Sequence, residues 1–582
     1  MRALKPNWKI IILFCFIIAT IASAISIFHT IIKFQNIPFP WDPGAHACEG
    51  LKIAQDLKAG DIISFIGDTY RQSWWPFFHS WLLAPAFILF GNTYAVARGV
   101  SLFCFILFIL TVYYIGIGMN SQRGHWIGLI PVYLALMSLP FLVLSAMCMS
   151  EIPGLLMTFI TLLIYLKAIK KQSTFLYVCT SILMALTLFT KWHHGVFVVL
   201  AIFITQLTSN KKILSRCNYS LFFPFLLIMI GWFIYPRHIA SFYGHSTFQP
   251  HYYKFLSLQN WLYYPKSFFQ MYHSSLVIAI VMAISFIYSL KRIKDPKIRL
   301  FVTHVLSGII LMTIKLDNRH RYIITIVPSI WILGASQLVD TVYYFKSRLN
   351  KRKIKVAFAS IIVFAISIIS FISVPKIYKS YPDLMLGINY WSDEKPKKAY
   401  EFIARNVDNH NQIAVFASWD YYNSLNGPTI QWHIEVRRDN DAFGIKNKKE
   451  RVYHYFCQFL KNRDKESYQN FIQFLENKDV RVNEYHLLSF MKILNMKAYQ
   501  DYRKKININP FADKIIDIVS IDSRITCLIT ILNEEDKEFN YHTKQFFLNQ
   551  DEWTEFLREK FIDLGITIAL YERKVVSKDD FK

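Results

Sequence analysis

Four clusters of residues have types and spacings that could do chemistry. The first is Asp42, in the segment PFPWDPGAHACEG just after a long apolar run. A carboxylate partly shielded from water at a membrane surface has a raised pKa and suits removal of a proton from a nucleophile. Its plainer role is to cap the helix that starts there by accepting from a free backbone N–H. The second is Glu151, in MCMSEIPGLL, within a long stretch otherwise free of acids. An acid at or inside a membrane span is costly and marks function; at a helix N-terminus it is also favoured by the macrodipole. The third is KLDNRHRYIITIVP, where Arg319, His320 and Arg321 crowd the end of an apolar run. Guanidinium forks bind phosphate through two N–H donors at once, whereas long basic side chains also snorkel to lipid headgroups. The fourth is the turn holding Lys191, His193 and His194, a source of positive charge or of metal-ligating nitrogen. Adjacent histidines on a helix do not face one way, which counts against a metal there.

These residues need a scaffold, and the composition says which kind. The chain has 582 residues, 53% hydrophobic and only 18% charged, where a soluble chain carries about 25% charged. Apolar runs long enough to cross a bilayer recur as far as Val374 and then stop. An all-soluble enzyme and a disordered chain are excluded. The runs predict eleven spans, at about 10–33, 94–117, 126–147, 152–168, 174–190, 193–208, 217–235, 273–290, 299–314, 322–342 and 354–374. The first reads as a retained signal anchor, because its apolar run exceeds that of a cleaved signal peptide and no small-residue cleavage site follows.

The net charge of +25 is concentrated in the membrane half. Residues 1–375 hold 33 Lys+Arg against 9 Asp+Glu, and residues 376–582 hold 32 against 31. This is the signature of loops obeying the positive-inside rule rather than of a nucleic-acid binder. With Met1 in the cytoplasm, Arg123, Lys170, Lys171, Lys211, Lys212, Lys291, Arg292 and the cluster Lys351–Arg352–Lys353 fall inside. An odd span count then puts the C-terminal residues outside. Seven of the nine acids fall on the outer side (Asp42, Glu49, Asp56, Asp61, Asp68, Glu151 and Asp317), while Asp295 and Asp340 fall inside. Acids contribute little to insertion, so the bias points to an outer-face site that uses carboxylates.

The expected architecture is a polytopic α-helical membrane protein with about eleven transmembrane helices in residues 1–375, followed by an extracytoplasmic soluble domain, α/β or α+β, in residues 376–582. A first outer loop covers 34–93 and a second 236–272. In the first, GAHACEGLKIAQDLKAG reads as an amphipathic helix lying in the interface plane. The second is rich in Tyr, His, Phe and Trp, as an aromatic belt or as a wall that contacts lipid or sugar. In the tail, KPKKAYEFIARNV has helical spacing, and QIAVFAS, ITCLIT and ITIALYER read as strands. The eight cysteines form no framework and no metal spacing, although Cys457 and Cys527 are candidates for a bridge.

The order of motifs WDPGAHA, SWWPFFHSWLLAPAFILFGNTYAVARGVS, MSEIPGLL and NRHRYIITIVPSI resembles the GT-C glycosyltransferases, in the bacterial branch related to protein O-mannosyltransferases and the aminoarabinose transferase of lipid A. The resemblance extends through about residue 342. It implies a polyprenyl-phosphate sugar donor and catalysis on the outer face. It matches Asp42 to the family's catalytic base, Glu151 to the second-loop acid, and Arg319 and Arg321 to the basic end of a late helix that meets the donor phosphate. Trp75 and His79 match the segment before the second span, and His46 stands where relatives carry His or Tyr. Where relatives often follow the first acid with a second, this chain has Pro43. Lys191 adds to the phosphate-binding set, and His193, His320 and Tyr322 join His46, Trp75 and His79 as candidates to line the substrate pocket.

The implied reaction is an inverting transfer in which Asp42 deprotonates an acceptor hydroxyl on a lipid, polysaccharide or protein. The polyprenyl phosphate is already a good leaving group and needs charge stabilisation rather than an acid. The scheme requires no cofactor, and a divalent metal stays open. The implied place is a bacterial inner membrane, since the one Asn-x-Ser/Thr sequon, Asn218-Tyr219-Ser220, falls on the cytoplasmic side. Two alternatives remain: a transporter or flippase of lipid-linked sugars, and a non-catalytic membrane scaffold.

Overall fold

The computed structural model describes residues 38–39, 41–73, 75–209, 215–235, 238–239, 242, 257–273, 276–315, 319–348, 395–407, 412–417, 429, 432–433, 436, 453–457, 527–533, 553–561 and 566–573. The expected spans at 10–33 and 354–374, and Asp317, lie outside them. By mutual contact the chain forms two compact units. One comprises Met1–Gln35, Thr69–Phe242 and Gln249–Asn389; the other comprises Asn36–Asp68, Tyr243–Phe248 and Tyr390–Lys582. The first outer loop is therefore divided, its residues 36–68 grouping with the C-terminal part of the chain.

In the first unit, five described helices are long and apolar enough to cross a bilayer: Tyr94–Met119, Glu151–Lys171, Trp192–Ser209, Arg216–Phe233 and Pro296–Ile314. Each coincides with an expected span. The apolar helix Thr174–Thr190, 17 residues long, matches another. Helix Tyr94–Met119 shows why such segments are apolar all round. Cys104, Phe105, Phe108, Val112 and Ile115 are buried in protein, while Phe103, Ile106, Leu110 and Tyr114 on the other side are exposed. A helix whose outward face is also apolar belongs in lipid.

The span expected at 126–147 is broken. It folds as Gly124–Leu136 and Leu139–Ser145, bent by 70°. Pro140 lies in the first turn of the second piece, after an extended Ser138. Its ring has no N–H to donate and would clash with the carbonyl of Leu136 in a continuous helix. A second departure is Phe78–Phe90, an apolar helix inside what the sequence reads as loop. At the end assigned to the cytoplasm, Asp340 accepts from Arg123 at 2.8 Å and from Arg292 at 2.9 Å. It thereby ties two connecting segments to helix Val327–Arg348.

The second unit holds helix Trp41–Ala59, helix Lys395–Val407 and a five-stranded sheet. The strands are β1 (Gln412–Ala417), β2 (Tyr453–Cys457), β3 (Cys527–Asn533), β4 (Trp553–Phe561) and β5 (Ile566–Arg573), in the order β2-β1-β3-β5-β4. β1 runs parallel to β2 and β3, while β5 runs antiparallel to β3 and β4. In Lys395–Val407, Ala399, Tyr400, Ile403, Ala404 and Val407 are buried, one face at helical spacing. The register rules out a Cys457–Cys527 bridge. Cys457 pairs with Phe416 on one side of β1, and Cys527 pairs with Ile413 on the other. Two strand spacings separate their Cα atoms by about 9.5 Å or more, beyond the roughly 7 Å a disulfide can span.

Helix Trp41–Ala59 does not have the surface-lying character expected of it. Leu51, Ile53 and Ala54 are buried as the pattern requires, but so are His46, Lys52 and Asp56.

Candidate functional site

Three turns of the helical unit converge on one carboxylate. Glu151 opens helix Glu151–Lys171, directly after Ser150. Lys191 is the extended residue between Thr174–Thr190 and Trp192–Ser209. Arg321 lies in the short 3-10 turn His320–Ile323 that precedes helix Val327–Arg348. Lys191 Nζ donates to Glu151 Oε1 at 3.0 Å, and Arg321 Nε stands 3.5 Å from the same oxygen. The Glu151 side chain is wholly buried, and those of Lys191 and Arg321 are 11% and 6% exposed.

Local sequence explains the convergence. The Glu151 carboxylate sits where free backbone N–H groups and the macrodipole favour an anion. Gly154, one turn on, lets the next helix pair come close. A Cβ there would lie 2.7 Å from His194 Nδ1 and 3.0 Å from Lys191 Cβ. Buried hydroxyls tie the same helices further along, through Thr161 with Thr187 at 3.0 Å and Thr158 with Thr325 at 3.4 Å.

The turn bearing Arg321 is braced from helix Leu258–Met271. His320 Nδ1 is 2.7 Å from Ser267 Oγ, its ring stacks on Tyr263 with centroids 4.8 Å apart, and Tyr272 donates to the His320 carbonyl at 2.7 Å. Burial, with a smaller contribution from Lys266, holds the His320 ring below its ordinary pKa. Ser267 and Tyr272 hold the turn that carries Arg321, and the sequence reading did not single them out. Both lie at or beside the end of a helix within what the sequence reads as the second outer loop, and nothing in their spacing singles them out.

The other expected residues are distributed as follows. Tyr322 is buried and forms a cluster with its neighbours. His193 packs on it with centroids 4.7 Å apart, and the guanidinium carbons of Arg319 and Arg321 lie 5.9 Å and 5.6 Å from its ring centre. Arg319 itself is exposed. The His193 and His194 rings meet edge to face with centroids 4.7 Å apart, His193 also packing on Tyr322 and His194 lying against Gly154. His79 is fully buried in the first turn of Phe78–Phe90, with Trp75 partly buried just before it. Asp42 and His46 belong to the second unit, in helix Trp41–Ala59. Asp42 is partly buried in the first turn, one residue inside the helix rather than at its cap. Among the described residues, no three His, Cys, Asp or Glu side chains group as metal ligands.

No family model and no curated protein matches the chain. Among solved structures, ArnT from Cupriavidus metallidurans bound to undecaprenyl phosphate matches with a TM-score of 0.52 and 12% identity over 98% of both chains. The same protein in its apo state matches with a TM-score of 0.54 and 12% identity over 97% of both chains. Archaeal oligosaccharyltransferase AglB from Archaeoglobus fulgidus, in complex with an inhibitory peptide and a dolichol-phosphate, is a looser match. Its TM-score is 0.47 at 12% identity, over 99% of this chain and 75% of AglB. The likeness to ArnT runs nearly end to end in both chains, and the two share one fold.

Proposed function

We propose that the chain is a membrane glycosyltransferase that moves a sugar from a polyprenyl-phosphate donor to an acceptor hydroxyl on the outer face of a bacterial inner membrane. The observation that carries this reading is the placement of Lys191 and Arg321 on a single oxygen of the buried Glu151. Two cations from separate turns are held side by side at one end of their helices, against their mutual repulsion. Such a pair, with little water around it, suits a ligand carrying several anionic oxygens, as a phosphate does. Placing the pair among membrane-spanning helices suits a phosphate that ends a lipid chain. The fold shared with ArnT, a protein captured with undecaprenyl phosphate, supports the same ligand class.

In the reaction, the acceptor oxygen attacks the anomeric carbon as its proton passes to the Asp42 carboxylate. The bond from that carbon to the phosphate oxygen breaks, and the phosphate leaves with the electron pair. Lys191 and Arg321 stabilise the charge that builds on the leaving oxygen, and Arg319 adds to the field from its exposed place in the same turn. Glu151 positions the two cations. A single displacement inverts the anomeric configuration.

The test compares wild type with Asp42→Asn in membranes supplied with a radiolabelled polyprenyl-phosphate sugar. The substitution keeps size and a hydrogen-bonding oxygen but removes the base. Transfer should fall by roughly 10²–10⁴-fold while the protein stays inserted and folded. Equal transfer by both proteins would overturn the role of Asp42.

A further inference from the structure

We infer that Thr429, Trp432 and His433, from the C-terminal part of the chain, are positioning residues for the turn that carries Asp42. Thr429 Oγ1 donates to the Phe39 carbonyl at 2.8 Å. The Phe39 and Trp432 rings meet edge to face with centroids 5.5 Å apart, and all three side chains are buried. Two residues past Asp42, Gly44 lies directly against Thr429. A Cβ at Gly44 would fall 2.6 Å from Thr429 Oγ1 and 3.3 Å from its backbone nitrogen. Asp42 therefore sits between two points at which Thr429 grips the chain, the Phe39 carbonyl before it and the Gly44 Cα after it.

The grip is specific rather than a general packing contact. Glycine inside a helix is unfavourable, and here its missing side chain is what admits Thr429. The Thr429 hydroxyl cannot swing aside to admit a methyl group without giving up its bond to Phe39. A neighbouring residue is anchored in turn. The His433 ring stacks on Tyr400 of helix Lys395–Val407, with centroids 5.2 Å apart and planes 8° apart. All of these residues belong to one compact unit. The C-terminal residues thus help to fix the turn bearing the base, in addition to any role in meeting the acceptor.

The consequence for catalysis rests on the reading of Asp42 as the base, and the contact itself does not. Variants are made in the full-length chain in lipid nanodiscs, with sugar transfer and thermal unfolding both measured. Gly44→Ala should lower kcat by about 10–100-fold, the scale of a small misplacement of a reacting group, with the donor KM nearly unchanged. Thr429→Ala, which removes the bond to Phe39, should lower kcat by about tenfold or more, the double variant should be little slower than either single one, and Thr429→Ser alone should stay close to wild type. The melting temperatures of Gly44→Ala, Thr429→Ala and the double variant should be non-additive. Wild-type rates in Gly44→Ala or in Thr429→Ala would overturn the inference. If wild type itself transfers no sugar, the enzyme reading fails, and the unfolding cycle still decides the brace: additive melting temperatures sink it and coupled ones uphold it.

Discussion

Glu151 and Asp340 each meet two basic side chains, and the comparison between them turns on water. Glu151 is fully buried, with partners 11% and 6% exposed. Asp340 is 26% exposed, with partners at 31% and 47%. Removing one member of a buried ion pair strands its partners and costs about 3–5 kcal/mol. Exposed pairs contribute about 1 kcal/mol or less. Denaturation in matched micelles should therefore show Glu151→Gln losing several times the stability that Asp340→Asn loses. Equal losses would mean that the Glu151 cluster is hydrated and is no preorganised anion site. Lys191→Met separates binding from scaffolding, because Glu151 keeps Arg321 beside it. Losing one charge-assisted bond to phosphate should raise the donor KM by about tenfold or more, with a fall in melting temperature smaller than that of Glu151→Gln. A KM that stays at the wild-type value would remove Lys191 from the donor site.

At the scale of elements, what was legible followed the apolar period. Five of the expected spans coincide with helices long and apolar enough to cross a bilayer, and strands β1, β3 and β5 fall on QIAVFAS, ITCLIT and ITIALYER. The failures have physical causes. The kink at Ser138 needed Pro140 to be weighed against an unbroken apolar run. Among the described residues β4, WTEFLREKF, is an edge strand paired with β5 and mostly exposed, so its sequence is polar and carries no buried alternation. At the site, Glu151, Lys191 and Arg321 were found from their charge, whereas Ser267 and Tyr272 act on Arg321 through the intervening His320 and have no signature of their own. That strut predicts a pH effect. His320 is held below its ordinary value near 6.5 by burial and then by Lys266, so the folded state favours the neutral ring. Its contribution is complete above about pH 6.5 and is lost as the pH falls through the lowered folded value. The melting temperature of wild type relative to His320→Gln should fall on acidification below pH 6.5, and a constant difference would show that the ring is not held neutral by the fold.

At the scale of the molecule, this chain and ArnT share a fold end to end at 12% identity. Few individual side chains are common to both, so what they share is the fold and not the sequence. The division into units adds something that hydropathy could not reveal. Sequence places the turn after the first apolar run with the membrane helices, yet residues 36–68 group with 390–582. The reason lies in side chains far apart in the chain: Thr429 with Phe39, 390 residues away, and Trp432 with the same residue. A fragment of residues 376–582 alone should then expose the faces that helix Trp41–Ala59 and Phe39 cover, and bury less apolar surface than a complete unit. Joining residues 36–68 to 390–582 through a long flexible linker should restore them. The fused fragment is expected to give a cooperative unfolding transition at a higher temperature than 376–582, and Gly44→Ala in the fusion should remove most of that gain. If the two fragments melt at the same temperature, the helix Trp41–Ala59 contributes nothing to the C-terminal fold, and the boundary belongs near residue 376, where composition alone would draw it.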